Sequence, residues 1–331
     1  MDVRPEGRGR TAVRHVIGLV LVGLGVFLLG TGAMVHFHVA PQLIAAPTDT
    51  YNKTVLRADN ATYFDVGALQ TRTGATITAT NTVRGDVRAS NDDVAVWDSF
   101  AAVQDLNNNV LVDMRQQRLA FDRRSGELTG CCGTHIQNQP LNRPSGIGLF
   151  WPVDVGKRGY QVFDSQTRRA WPVTFAGEET LDGVRTYRFV QRIPPTKITE
   201  PARTVPGGLL GLGAGSGDVA VDRYYQAEAT YWIDPRTGAP VNQRQHTIST
   251  LQAQQGPGRL VVADLDLRMT DESRRALLDK SEDGARSAGM IKTVVPLVCL
   301  VAGLVLVVGG LVLAARPRGT RGISRRDAAE A

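Results

Sequence analysis

The pair Cys131-Cys132, flanked by Gly130 and Gly133, is the most unusual local feature of the chain. Thiols outside a reducing cytosol tend to oxidise. Adjacent cysteines can close only a small ring, which demands a special turn of the kind that flanking glycines tolerate. Three states are open to the pair: a vicinal disulfide, a bridge between molecules, or two free thiols. Structural kinking is the plain consequence of the first, and an exposed, strained bond is also the more reducible kind. The third cysteine, Cys299, stands in an apolar run out of reach of the other two.

Other patterns with chemical potential dissolve on their spacing. Gly211, Gly213, Gly215 and Gly217 alternate like a phosphate loop but lack the Lys-Ser/Thr that follows one. Asp105, Asn107 and Asn109 have the spacing of calcium ligands. Val110 stands where the loop needs glycine and Gln116 where it needs glutamate, so an Asn-rich hairpin turn fits better. His135 follows Cys132 by three residues with no third and fourth ligand at zinc spacing. There is no G-x-S-x-G and no H-E-x-x-H, and the neighbours Glu178-Glu179 and Asp92-Asp93 would point to opposite faces of a strand. The residues therefore predict no catalytic set, no cofactor and no metal site.

The elements that carry these residues sort into two kinds. Residues 16–35 and 293–315 contain no charged side chain. At 1.5 Å per residue each run reaches ~30 Å or more, the thickness of a bilayer core. A cleaved signal peptide would have a shorter apolar stretch than the first run. Tail 1–15 holds four arginines and tail 316–331 holds five, whereas the 257 residues of 36–292 carry 29 basic against 28 acidic residues. Basic residues stay on the cytoplasmic side. The pattern predicts a two-pass protein of the cell (inner) membrane, both termini cytoplasmic and 36–292 outside. Nearly all of the net charge of +6 thus belongs to the tails and implies no nucleic acid partner. Gly18, Gly25 and Gly32 recur every seven residues, and Gly303 and Gly310 repeat the step. Seven residues return to nearly the same helix face, so these glycines are candidates for close helix packing, with simple enrichment of glycine in membrane helices as the alternative.

Residues 36–292 read as β-rich. Ala75, Ile77 and Ala79 alternate with threonines; Val94 and Val96 alternate ahead of Trp97; Tyr187, Phe189 and Ile193 share a parity; so do Val261, Ala263, Leu265, Leu267 and Met269. Asp122 to Gly126 and Asp234 to Gly238 are the same turn phrase, with Asp164 to Thr167 a weaker copy; an opening Asp and closing Gly suit a type I turn ended by a residue of positive φ. Thr270 is placed to cap a helix through Leu278, with Gly284 and Gly289 as interruptions, and residues 43–69 are expected to be partly helical. Pro194 to Gly217 is the expected mobile stretch. Trp97, Trp151, Trp171 and Trp232 read as core aromatics first. The fold class expected is α+β: a β-rich extracytoplasmic domain between N- and C-terminal transmembrane helices.

The phrases Gly148-Leu149-Phe150-Trp151-Pro152-Val153, Phe175-x-Gly177-Glu178-Glu179-x-x-Asp182-Gly183-x-x-Thr186-Tyr187-x-Phe189, Ile193-Pro194-Pro195, Thr230-Tyr231-Trp232-Ile233-Asp234-Pro235-Arg236-Thr237-Gly238 and Phe121-Asp122-Arg123-Arg124-Ser125-Gly126 together resemble an actinobacterial membrane-protein family of unknown function, sometimes labelled the porin PorA family. By topology alone the layout is similar to two-span scavenger receptors, whose outer domains handle lipids. The resemblances imply two leading functions. One is an envelope module that binds or passes an apolar, lipid-like ligand or a protein partner, through a cavity lined by Val, Leu, Phe and Trp. The other is an oligomeric channel subunit assembling through the glycine faces, with a structural scaffold also in view. The lipid bilayer itself is the first partner in either case.

Overall fold

The computed structural model describes residues 7–40, 45–213 and 215–315. The chain divides into two compact units, Met1–Leu43 with Ser287–Ala331, and Ile44–Arg286. Much of the two basic tails, residues 1–6 and 316–331, lies outside the described residues.

In the first unit, α1 (Gly7–Met34) passes into a π-helical turn at Val35–Val39. The second helical run begins in the other unit as α2 (Asp271–Gly289), passes a π turn at Met290–Val294 and ends as α3 (Val295–Ala315). The apolar runs read from sequence fall inside these helices. Their burial is the reverse of a soluble bundle. Val16, Leu19 and Phe27 of α1 and Leu297, Val305 and Leu311 of α3 are exposed, while Gly303 and Gly310 are buried. Large side chains on the outside and glycine at the contact are what packing in lipid favours.

The second unit is one antiparallel sheet of fourteen strands. The strands are β1 (Tyr51–Asp65), β2 (Gln70–Gly85), β3 (Val94–Asp105), β4 (Val110–Asp122), β5 (Leu128–Thr129), β6 (His135–Ile136), β7 (Gln139–Pro140), β8 (Tyr160–Asp164), β9 (Arg169–Leu181), β10 (Val184–Lys197), β11 (Arg203–Pro206), β12 (Asp218–Ile233), β13 (Pro240–Ala253) and β14 (Arg259–Met269). Their order is β7-β6-β4-β3-β2-β1-β14-β13-β12-β10-β9-β8, with β5 beside β4 and β11 beside β12. The long strands follow from alternation. Ala75 and Ile77 on β2 and Leu265 and Leu267 on β14 bury one face together with Leu56, Ala58, Ala61 and Tyr63 of β1. Residues 51–65 are therefore strand where a partial helix was expected. Two-residue alternation resumes on the other parity after Asn60, a left-handed residue (φ 58°) at an irregularity in the register, so Ala61 and Tyr63 still face inward.

The sheet closes on itself through one residue. Ile147 pairs antiparallel with Glu127 beside β5 and parallel with Val162 of β8. Leu128 N–H donates to Gly146 O (2.9 Å), Ile147 N–H to Gln161 O (2.7 Å) and Phe163 N–H to Ile147 O (2.9 Å). Closure satisfies backbone groups that would otherwise form a sheet edge.

Five turns are built alike, with an Asp at the first position and a left-handed residue four positions on. They are Asp65/Leu69 (φ 50°), Asp105/Asn109 (53°), Asp122/Gly126 (73°), Asp164/Arg168 (54°) and Asp234/Gly238 (73°). The Asp carboxylate accepts the following amides: Asp65 Oδ1 from Gly67 and Ala68 N–H, Asp105 Oδ1 from Asn107 N–H, and Asp122 Oδ1 from Arg124 and Ser125 N–H. Asp105 also accepts from Tyr63 Oη and Asn108 Nδ2, both at 2.8 Å, so its oxygens are committed to the β3–β4 hairpin and to β1. Burial and this bond push the Tyr63 phenol up to about 12.

α2 is a polar helix fastened to the strand ends. Thr270 caps it, its Oγ1 accepting from Ser273 N–H (3.3 Å). Leu278 packs on Val184 and Val241, Lys280 Nζ donates to Asn52 Oδ1 (2.6 Å), and Gly284 continues the helix instead of interrupting it. The glycine-rich stretch is also folded. After β11, a 3-10 turn at Gly207–Leu210 buries Leu210 against Val221, Leu251 and Leu260, with Leu212 packed on the same cluster. Apolar leucines between the glycines anchor a segment that glycine content alone marks as mobile; Ala214 lies outside the described residues.

Candidate functional site

Three arrangements stand out, and the first two gather residues singled out by sequence. The first is the helix pair. A Cβ on Gly18 would lie 2.8 Å from Gly310 O, and one on Gly25 would lie 2.7 Å from Gly303 O; Gly32 faces Cys299 at 3.0 Å. All five glycines thus form one seam between α1 and α3 of a single chain. Any residue but glycine at its centre would drive the two backbones apart. The seam is consumed within the chain, so it is not free to join copies in the way the channel expectation had supposed. His36 Nδ1 and Lys292 O meet at 3.2 Å between the two π turns.

The second is the cysteine pair. Cys131 and Cys132 are joined to each other, exposed, with Cys132 left-handed (φ 61°). The turn is held by Thr134, whose N–H donates to Cys131 O (3.2 Å), and by Arg118 Nε, which donates to Cys132 O (3.3 Å). Arg118 also pairs with Asp86 (2.5 Å) and Asp98 (2.8 Å), and the guanidinium holds the Asp86 carboxyl below the usual range. Glycine at 130 and 133 and the small ring between them set the kink that sends the chain from β5 to β6.

The third was not foreseen: the inward face of the closed sheet carries a set of polar side chains among its apolar ones. Strand parity places Asn81, Ser99, Arg115 and Gln117 on the same side as the buried Ala95, Trp97, Leu119 and Phe121. On the other half of the ring Gln191, Gln243, Gln245, Tyr225 and Tyr231 share the register of Phe189 and Ile233. Gln243 Nε2 donates to Gln245 Oε1 (3.3 Å), Gln245 Nε2 to Tyr225 Oη (3.2 Å), and Tyr231 Oη to Gln191 Oε1 (3.4 Å). Gln117 Oε1 is buried with no partner. Arg115 Nη1 reaches Ser165 O (3.5 Å) and Arg168 Nη2 reaches Ile136 O (3.3 Å), so β4 and β6 are tied to the β8–β9 turn. Burial pushes the Asp164 carboxyl up, and burial also pushes the Tyr225 and Tyr231 phenols up. Alternating glutamines in sequence (191, 243, 245) were the signal; their meaning needs the strand register and the closure at Ile147, neither of which the sequence displays.

A shallow concavity of about 400 Å³ lies on the opposite, outer face of β10, β12 and β13. Arg192, Glu228 and His246 line it with Pro194 and Ile248. Arg192 Nε donates to Glu228 Oε2 (3.0 Å), and His246 Nε2 meets Asp264 Oδ1 (2.8 Å). Its charged rim differs from the Val, Leu, Phe and Trp cavity that a lipid-binding module requires, and the four tryptophans do not line it. Among the described residues no three His, Cys, Asp or Glu side chains gather at metal-binding distance.

Two helices long and apolar enough to cross a membrane flank a β-rich domain. The sequence matches the family model described as Porin PorA over residues 17–312, and the chain belongs to that family. A Porin PorA of Corynebacterium resistens is 25% identical over 240 residues, covering 54% of this chain and 58% of that protein. A Porin PorA of Corynebacterium amycolatum is 31% identical over 133 residues, covering 33% of this chain and 34% of that one. The chain therefore matches less than two thirds of the length of either relative.

Proposed function

We propose that the protein is a channel-type subunit of a cell-envelope membrane, crossing it twice with both tails cytoplasmic and the closed sheet outside. The relatives' name, porin, carries this reading, and the polar side chains set among the apolar ones on the inward face support it. Asn81, Ser99, Gln117, Gln191, Gln243 and Gln245 offer neutral hydrogen-bonding groups, which can exchange partners with water at small cost. Two helices packed through a dry glycine seam enclose no aqueous path. A passage through the bilayer therefore takes several copies, brought together by faces of α1 and α3 other than the seam. The role is non-catalytic. The outer-face concavity, lined by Arg192, Glu228 and His246, does not recommend an apolar-ligand carrier.

The test is conductance of the purified full-length chain in planar bilayers. Stepwise currents are expected, with Arg115→Glu shifting their ion selectivity toward cations, because that side chain is the cationic group on the inward face of β4. A protein that reconstitutes into lipid and passes no current at any concentration would remove the reading.

A further inference from the structure

Where the closed sheet joins β4 to β8, its wall passes through the β6–β7 hairpin. Ile147 supplies a backbone bridge at one level. Away from that bridge, Arg168 Nη2 of the β8–β9 turn donates to Ile136 O of β6, and Arg115 Nη1 of β4 donates to Ser165 O. β6 is two residues long and pairs with β4 only as Gln117 with Ile136 and Arg118 with His135. It turns into β7 through Gln137 and Asn138, both left-handed (φ 49° and 61°). So short a hairpin does not hold itself in place. Its position depends on the chain that leads into it.

That lead-in is Gly130-Cys131-Cys132-Gly133. Two glycines and a left-handed Cys132 make a link that an uncrosslinked chain would rarely populate. The bond between the two sulfurs holds it, and Thr134 fixes its exit. Thr134 N–H and Oγ1 both donate to Cys131 O, and Thr134 O accepts from Leu141 N–H (3.0 Å) just after β7. Both cysteines are exposed, whereas Thr134 and Ile136 on either side of His135 are buried. Exposed disulfides are the exchangeable kind. Thr129 Oγ1 lies 3.2 Å from Cys131 Sγ. A disulfide sulfur carries no hydrogen, so the hydroxyl is the donor.

We propose that Cys131–Cys132 is a thiol-exchange site for a dithiol reductant, and that its reduction releases the β6–β7 hairpin from the wall. One thiolate of the dithiol attacks Cys132 Sγ. A bond forms between those two sulfurs, the Cys131–Cys132 bond breaks, and its electron pair leaves on Cys131 Sγ, where the Thr129 hydroxyl is already placed to donate. The second thiolate of the dithiol then attacks the dithiol's first sulfur, expels the Cys132 thiolate and leaves as a cyclic disulfide. The dithiol is oxidised by two electrons, and the two protons it gave up go to the two cysteines. A monothiol stalls after the first step, because the Cys131 thiolate one residue away expels it. Once reduced, Cys132 leaves its left-handed conformation, Arg118 Nε loses Cys132 O, and Ile136 no longer holds its carbonyl for Arg168. The inference stands apart from the channel reading.

Thiol mapping and hydrogen exchange on the full-length chain in nanodiscs test it. Dithiothreitol should reduce the pair in the folded protein at a rate within about tenfold of that in denaturant, read by maleimide capture mapped to Cys131 and Cys132. Glutathione at equal thiol concentration should be about tenfold less effective or worse. In the reduced protein the amides of residues 133–141 should exchange about tenfold faster or more, with residues 187–193 unchanged. Reoxidation should restore the slow rate. The double variant Cys131→Ser, Cys132→Ser should exchange fast in 133–141 with or without reductant. Reduction that occurs only on unfolding would make the pair a plain brace and overturn the proposal. Unchanged exchange in 133–141 after reduction would overturn it too, as would slow exchange in the double variant or equal action by glutathione. None of these readouts is a current, so their failure and the failure of the channel reading are told apart.

Discussion

Gly126 and Gly238, 112 residues apart, sit in copies of one turn with the same φ of 73° and close on successive residues of one segment. A Cβ on Gly126 would strike the carbonyl oxygen of Phe150, and a Cβ on Gly238 would strike those of Trp151 and Pro152. The two turns therefore grip Phe150-Trp151-Pro152 from two sides, and the segment carries its aromatics into separate clusters. Phe150 packs with Trp97 and Phe121, and Trp151 with Phe189 and Tyr160. Ile147, three residues before this clamp, closes the sheet.

Gly126→Ala and Gly238→Ala should each destabilise the protein by about 2–4 kcal/mol, from the left-handed backbone and the overlap together. Leu69→Gly, at the same turn position in open space, should change stability by less than about 1 kcal/mol. Denaturant titration of the three variants checks the ranking. Similar losses at all three sites would mean that the clamp contributes nothing.

Asp234→Ala should cost about 3 kcal/mol or more, because the side chain is fully buried and four donors are left without their acceptor. Arg236 N–H, Nε and Nη2 and Ser281 Oγ all donate to it, at 2.7–3.0 Å. Ser281 belongs to α2, so hydrogen exchange of α2 should rise in the variant more than exchange of β2 or β3.

Asp164→Asn isolates a pH effect. Burial raises the Asp164 carboxyl in the folded state above its unfolded value, so the fold favours the protonated form. The wild type accordingly loses stability as pH rises from the unfolded pKa through the folded one, and is relieved on acidification. Asn keeps an oxygen for Thr167 N–H and Oγ1, which donate at 2.7 and 2.8 Å. The variant should be the more stable at neutral pH, with the difference shrinking as pH falls through the raised folded pKa and vanishing near about pH 4. Asp86, held low by Arg118, acts with the opposite sign in both proteins and cancels in the comparison.

Thiol counting follows from the cysteine geometry. Native protein unfolded under non-reducing conditions should take one alkyl group, at Cys299, and three after reduction, read by mass spectrometry. In Gly32→Cys the new side chain faces Cys299. Oxidation should remove the Cys299 label entirely if α1 and α3 pack through the glycine seam, and a label that persists would mean another packing.

Much of this molecule was legible because its signals are local. Two charge-free runs become two apolar helices whatever the rest of the chain does, since length and hydrophobicity decide that alone. Residues 75–79, 187–193 and 261–269 alternate, and alternation with one buried face gives strands. The Asp-to-Gly phrases at 122 and 234 name their own turn through the carboxylate that accepts nearby amides and the glycine that accepts positive φ. Asp65 escaped notice because Leu69 stands where glycine would have flagged the turn, whereas the Asp105 turn was readable from its asparagines.

Tertiary structure alone decided the rest. Residues 207–217 look loose by composition, and Leu210 became ordered only because Val221, Leu251 and Leu260 arrive from three other strands to cover it. Gly18 and Gly310 repeat a helical step in sequence, but which helix each meets is a property of the pair. Gln191, Gln243 and Gln245 acquire a common face through register, and that face becomes an interior only when Ile147 bridges Glu127 and Val162. Sequence carries what one segment can settle with water or lipid. Closure, and everything inside it, rests on contacts between residues far apart along the chain, whose pairing no local pattern encodes.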